Sequence, residues 1–443
     1  MVLGSNRKKR WFGLMLVFFV CMICLSPPFQ CFATFPDHLR MFSGQDKQLS
    51  LELPVNAQVT VDHPEVLKVN GEASRTFRVD LQQPISLQSY QSGATKIRLK
   101  LFGAIPLKTV SVNVVPDLQV IPGGQTIGVK IKSAGVLVVG HHLVNADTNK
   151  RISPGEEANI QTGDLIVKID GHKLNDVNKV ADLVNKAGEE NRPLNLTIVR
   201  DKQELQVPLT PVYDKNDKSY RLGLYIRDSA AGVGTLTFYA PDQGVYGALG
   251  HIITDMDTQT PIVVGEGQVV HSNVTSIAKS HNGEPGEKHA QIFRESKVLG
   301  NIEKNTPFGI FGKMNALPEF GLNNTPIPVA FAEEVHEGPA EIYTVVGGQK
   351  VEKFDIQITH VSKQESPATK GMVIKITDPR LLEKTGGIIQ GMSGSPIIQN
   401  GKLAGAVTHV FVNDPTSGYG CFIEWMLRDS GIILDSRAES KAS

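Results

Sequence analysis

Short runs of alternating apolar and polar residues, each cut off by turn-forming residues, limit this chain more than any other feature. Between Gln48 and Val115 they read "QLSLELPV", "AQVTV", "EVLKV", "RTFRVDL", "KIRLKLF" and "KTVSVNVV". Asp62-His63-Pro64, Asn70-Gly71 and Ser92-Gly93 punctuate them. A period of two puts one set of side chains on one face, the signature of half-buried strands. Residues 35–116 are therefore expected to form a small antiparallel β-sandwich, with His38 and His63 as surface or turn residues. The 42 glycines and 25 prolines among 443 residues carry the same grammar onward, so a mostly β fold of several domains is predicted. Lys+Arg and Asp+Glu balance at 45 each, which gives no case for nucleic-acid binding.

The N-terminus follows other rules. "NRKKR" (Asn6 to Arg10) precedes "WFGLMLVFFVCMICL" (Trp11 to Leu25), which has no charge. A basic flank followed by an apolar tract predicts an export signal over residues 1–33, or a membrane anchor if it is retained. The basic flank would stay cytoplasmic and the rest would lie outside. Cys21, Cys24 and Cys31 belong to this segment. Cys421 is the one cysteine of the body, so no disulfide is expected there and a small buried hydrophobe is.

Residues 117–212 change character. "IGVKIKSAGVLVVG" predicts two strands, "SPGEEANIQTGDLIVKIDG" follows, and "DVNKVADLVNKAG" carries Val177, Val180, Leu183 and Val184 on one helical face. This order resembles a small α/β PDZ domain of the kind attached to bacterial proteases. Such a domain takes an extended peptide or C-terminus as an added strand at an exposed edge. The resemblance implies a peptide ligand and puts its binding loop at Ile127, Gly128 and Val129. His141 and His142 are adjacent on a strand and face opposite ways, so they predict no shared metal. No metal or other cofactor is expected.

After "YDKNDKSYR", read as a polar linker, residues 222–434 return to glycine-punctuated strands ending in a helix, which fits a two-barrel β fold. Within it lies "GMSGSPIIQNGKLAGAVTHV", from Gly391 to Val410. A serine hydroxyl attacks a carbonyl only when a base takes its proton and backbone N–H groups receive the oxyanion. Gly391 would let the chain bend so that its N–H and that of Ser393 converge as an oxyanion hole. Gly394 would remove a side chain that crowds the substrate. The segment resembles the nucleophile loop and following hairpin of trypsin-like serine peptidases at Gly391, Ser393, Gly394, Pro396, Ile397, Ile398, Gly401, Gly405, Val407 and Thr408. Met392 stands where those enzymes have the aspartate that pairs with a newly cut N-terminus, so that activation is not expected. Gly387 stands at their specificity-pocket floor and carries no acid, which gives no support for a basic-residue preference.

The approach "GALGHIITD" resembles that of the catalytic histidine in the same enzymes and makes His251 the base. His409 is the next candidate; His271, His281 and His289 read as loop residues. An acid is expected to hold the imidazole. Asp378 keeps the order His, Asp, Ser and is favoured over Asp255 and Asp257, against the reading of Asp378-Pro379 as a turn or helix cap.

Over its full length the chain resembles the stage IV sporulation signalling serine peptidase of endospore-forming bacteria. That resemblance implies export across the forespore inner membrane into the intermembrane space. It also implies self-cleavage, and cleavage of a membrane-bound inhibitor of an intramembrane metalloprotease, which leads to sigma-factor activation. The alternative is a catalytically inactive PDZ adaptor that binds peptide tails at the membrane. No His-Glu-x-x-His occurs to favour a metalloprotease.

Overall fold

The computed structural model describes residues 4–432 and 434, apart from 73, 148, 149, 175, 293–296, 317, 318, 320, 323 and 365. The chain divides into two compact units, Met1–Leu118 with Ile433–Ser443, and Gln119–Ile432.

The first unit opens with helices Gly4–Leu25 and Pro27–Thr34. Among the described residues no helix is long and apolar enough to cross a membrane. A five-stranded sheet follows, in the order His38–Phe42, Ile105–Val115, Gly93–Leu101, Asn56–Val61, Thr76–Asp80. A three-stranded sheet runs Asp46–Leu49, Ile85–Ser89, Leu67–Val69. Alternation does what the pattern demands: Ala57, Val59 and Val61 point inward with Leu67, Leu87 and Leu99. The sheet is not wholly antiparallel, because His38–Phe42 runs parallel to Ser111–Val115. Those two strands are joined through the whole intervening domain, the long crossover that parallel pairing requires.

The second unit is organised by one strand. Thr126–His141 pairs antiparallel with Leu224–Ala240 from His141↔Leu224 to Thr126↔Thr235. Its second half also pairs with Leu165–Ile169 of the PDZ module. There Val180, Val184 and Ala187 of helix Asn178–Glu189 cover Val136, Val138, Ile166 and Ile198. Its first half pairs with Val264–Ala278 of the peptidase. PDZ module and peptidase thus share a fourteen-stranded sheet. The stretch expected as a linker is itself a hairpin, Val212–Asp214 with Ser219–Arg221. Of the two barrels expected, one closes among the described residues: Gly338–Val345, Val351–Val361, Met372–Ile376, Asp414–Phe422, Lys402–Phe411 and Pro396–Gln399. The other half stays open to the shared sheet because PDZ strands continue its edge. The closed barrel encloses Phe354, Met372, Met392, Ile397 and Phe422. Helix Ile423–Ser430 follows its last strand.

Candidate active site

The serine loop starts where helix Pro379–Thr385 stops. Gly386 ends that helix at φ 72°, a left-handed position that favours glycine. The next carbonyls are held from two sides. Strand Val264–Ala278 and its hairpin partner Glu287–Ile292 flank the loop on one side. Ser280 Oγ donates to the Ile388 carbonyl at 3.0 Å. The Lys288 amide donates to the Gln390 carbonyl at 2.9 Å. From strand Leu224–Ala240, Thr235 Oγ1 donates to the Gly391 carbonyl and Thr237 Oγ1 to the Gly394 carbonyl, both at 2.8 Å.

The amides divide differently. The N–H groups of Gln390, Met392, Gly394 and Ser395 donate to Gly286, Ile389, Val407 and Met392 carbonyls. Those of Gly391 and Ser393 have no partner among the described residues. Two alternate amides, one of them on Ser393 itself, are therefore left free beside the serine. A buried or half-buried N–H without a partner is unusual, and it suits receipt of an outside acceptor. Gly391 has φ 89°, which turns its amide, and Ser393 is partly exposed.

Gly394 has a different reason from the one expected. A Cβ on it would come within 2.3 Å of the Thr235 carbonyl oxygen and 2.4 Å of the Leu249 nitrogen. It clears the backbone of the open half of the peptidase, not substrate. Met392 is fully buried among the barrel's apolar residues, which explains why an aspartate is absent there. Ser395 is buried and its hydroxyl has no partner.

His251 reaches the same place from the other half. Leu249 and Gly250 both have positive φ, 74° and 73°, so the chain turns sharply just before the histidine. Gly250 lies against Val407 and Thr408 of the serine hairpin, and an added Cβ would meet each at 3.2 Å. His251, Ser393, His409, Gln390 and Leu249 line one open cleft of about 1000 Å3. The His251 Nδ1–H donates to the Ile252 carbonyl at 2.9 Å; a carbonyl only accepts, so this bond fixes the tautomer and leaves a lone pair on Nε2. Burial pushes the His251 pKa below the ordinary 6.5, against a smaller upward pull from the Ile252 carbonyl. The His409 ring is 5.5 Å from that of His251, centre to centre. Burial, then the His251 charge, lowers its pKa too.

Asp378 is not brought to the histidine, and that expectation is corrected. Its carboxylate caps helix Pro379–Thr385 by accepting from the Arg380 amide at 2.9 Å. The same carboxylate receives Arg380 Nη2 at 2.7 Å. Among the described residues no carboxylate acts on His251. Asp255 and Asp257 lie nearer in sequence but are committed to Arg227. Asp255 also accepts from the amides of Asp257 and Thr258. The helix-cap alternative was the right one, since Asp-Pro at a helix start is built for that role.

The PDZ expectation is corrected as well. Ile127, Gly128 and Val129 are interior, not an open edge. They pair with Gly234, Val233 and Gly232 on one side and with His271, Val270 and Val269 on the other. No edge is left there for a peptide strand. His271 and His289 lie on strands, not loops. Two contributors escaped the sequence reading, Thr235 and Lys288. Each lies more than a hundred positions from the serine, and only the shared sheet and its hairpin bring them together.

Residues 218–427 match the family described as SpoIVB peptidase S55, and residues 127–210 match the PDZ domain. No curated protein matches the chain. Among solved structures, the active form of the Rv3671c protease from M. tuberculosis is similar at 15% identity. That match covers 46% of this chain and 75% of that one, with a TM-score of 0.26. The inactive form of the Rv3671c protease is similar at 16% identity over 45% and 84%, with the same TM-score. With a SpoIVB peptidase S55 model over residues 218–427, which hold the barrel and serine loop, and a PDZ model over the preceding module, the chain is a serine peptidase that carries a PDZ domain.

Proposed function

We propose that Ser393 is the nucleophile, His251 its base, and the amides of Gly391 and Ser393 the oxyanion hole. The observation that carries this reading is the pair of unpartnered amides, of Gly391 and of Ser393 itself, at a partly exposed serine in a cleft that His251 also lines. The Ser393 hydroxyl attacks a peptide carbonyl and gives its proton to His251 Nε2. The carbonyl oxygen becomes the oxyanion and is received by the two N–H groups. The imidazolium then protonates the leaving amine, and water repeats the sequence to release the acyl group. The Ile252 carbonyl holds the imidazole where a carboxylate does so in a full triad, which makes the unit a dyad. Such a carbonyl orients the ring but offsets the imidazolium charge less than a carboxylate.

The substrate is an extracytoplasmic regulatory protein, the membrane-bound inhibitor of an intramembrane metalloprotease, and the chain also cleaves itself. The peptidase is exported across the forespore inner membrane and acts in sporulation signalling toward sigma-factor activation. Support for this part comes from the sporulation family matched and from the N-terminal basic-apolar segment. A fluorophosphonate probe tests the site. Labelling of the wild type and its loss in Ser393→Ala are expected. An unlabelled, folded wild type would leave the inactive adaptor as the better reading. Co-expression with a candidate membrane inhibitor, followed by mapping of the cut by mass spectrometry, tests the substrate.

A further inference from the structure

Lys288 is a buried cation that the chemistry above does not use. It is 2% exposed, on strand Glu287–Ile292. Its amide holds the Gln390 carbonyl, so its Cα is fixed beside the serine loop. Its stem then runs along Gly391: a Cβ placed on that glycine would meet Lys288 Cβ, Cδ and Cγ at 3.2, 3.3 and 3.4 Å. The Nζ ends on Thr344 Oγ1 at 2.7 Å, on strand Gly338–Val345 of the closed barrel. Thr344 is itself fully buried. The stem therefore packs against Gly391, whose N–H has no partner, and the amine ties strand Glu287–Ile292 to the barrel.

An apolar side chain of similar length would fill this space without the cost of a buried ammonium. The amine does not line the cleft and is turned to Thr344, so it is not placed to take the Ser393 proton. We propose that Lys288 is a positioning residue for the oxyanion hole. Its stem keeps the Gly391 amide turned to the reacting carbonyl, and its ammonium, beneath that loop, favours the negative charge that develops there. This rests on the Ser393–His251 reading of the site.

The inference has a signature in pH. Burial alone pushes the Lys288 amine down to about 7. Glu287 and His289 flank it on its strand; His289 is exposed. On the barrel strand Tyr343 adjoins Thr344, and Glu341 is paired with Lys353. His251 and His409 stand at the cleft beyond the serine loop. None of these charges acts on Lys288. A group whose folded pKa is depressed is protonated only below that value, so the ammonium is lost as pH rises through about 7. Activity should therefore fall on an alkaline limb set by Lys288, opposite in sign to the acid limb set by His251.

The test is kcat/KM of the full chain on a small activated ester across pH, with circular dichroism as the check on folding. The wild type should show both limbs. Folded Lys288→Met should lose about tenfold or more at neutral pH, in the range of an oxyanion-hole defect, and lose the alkaline limb while keeping the acid limb. Lys288→Arg should restore the rate with no alkaline limb, since its charge does not titrate there. Thr344→Val should move that limb to lower pH, because the ammonium loses its acceptor, and it decides the matter if neither Lys288 variant folds. An unchanged rate and limb in Lys288→Met, or a lost rate with the limb still present, overturns the proposal. So does a limb in Thr344→Val that stays at its wild-type pH. Fluorophosphonate labelling separates the layers: an unlabelled wild type sinks the catalytic reading, whereas a labelled wild type with indifferent Lys288 and Thr344 variants sinks this inference alone.

Discussion

The carboxylate of Asp378 is closed by the guanidinium of Arg380, two residues along the chain, at 2.7 Å. The pair faces the start of a helix, not the cleft. Asp378→Asn should accordingly keep kcat/KM within about threefold of wild type, where loss of a triad acid costs up to about ten-thousandfold. The side-chain bond to Arg380, then the amides of Arg380 and Asp355 and last the Arg380 charge, outweigh burial and lower the Asp378 pKa below its ordinary 3.8. The stabilisation is thus present above that value and lost as pH falls through the folded pKa. Arg380 is 61% exposed, so the ion pair is screened and the asparagine variant should lose less than about 1 kcal/mol. Ester kinetics and urea melts check both halves; a collapse of turnover in a stable protein would return Asp378 to the active site.

Ser393 and Ser395 separate by environment. Ser393→Ala should lose at least about a thousandfold in turnover, since it removes the atom that attacks. Ser395 has a buried hydroxyl with no partner, so Ser395→Ala should retain probe labelling. It should leave stability unchanged or raise it by up to about 1 kcal/mol, because an unsatisfied buried polar atom is removed. The reverse pattern of labelling would shift the nucleophile by two residues.

The acid limb should lie lower than an ordinary histidine gives. Burial depresses the His251 pKa below 6.5, so the neutral base survives to lower pH and kcat/KM should reach half its plateau below 6.5. His251→Ala should remove this limb together with activity. A half-rise above pH 7 would mean that a negative group, absent from the described surroundings, raises the base.

Some of this was legible and some was not, for physical reasons. Alternation in Asn56–Val61 shows its buried face because a strand's period is local. The serine loop reads well because each constraint on it, a left-handed Gly391, a close approach at Gly394 and the turn at Asn400-Gly401, needs a particular small residue. The acid was not legible: Asp378 satisfies the chain order of a triad, and order does not report distance. Nor were Thr235 and Lys288, whose roles depend on pairing between strands far apart in sequence. The PDZ groove failed for the same reason. "IGVKI" alternates as an edge strand would, and nothing local reveals that both of its edges are taken.

That last point reverses the expected effect of a groove mutation. Were Gly128 at an open peptide-binding edge, Gly128→Pro would weaken protein cleavage and spare a small ester. In the structure Gly128 lies between Val233 and Val270, and an added Cβ would meet Ile292 at 2.7 Å and Val270 at 2.9 Å. Proline would remove a ladder N–H from a central strand and add atoms where none fit, a cost of about 3 kcal/mol or more. The same sheet carries Thr235, which holds the Gly391 carbonyl, and Ile127 and Val129 beside Gly128 share a core with Leu249, which leads to His251. Damage at Gly128 should therefore spread to both catalytic residues. Ester hydrolysis and protein cleavage should fall together, with a lowered urea midpoint. A folded Gly128→Pro variant with full esterase activity would show that strand Thr126–His141 does not hold the site together.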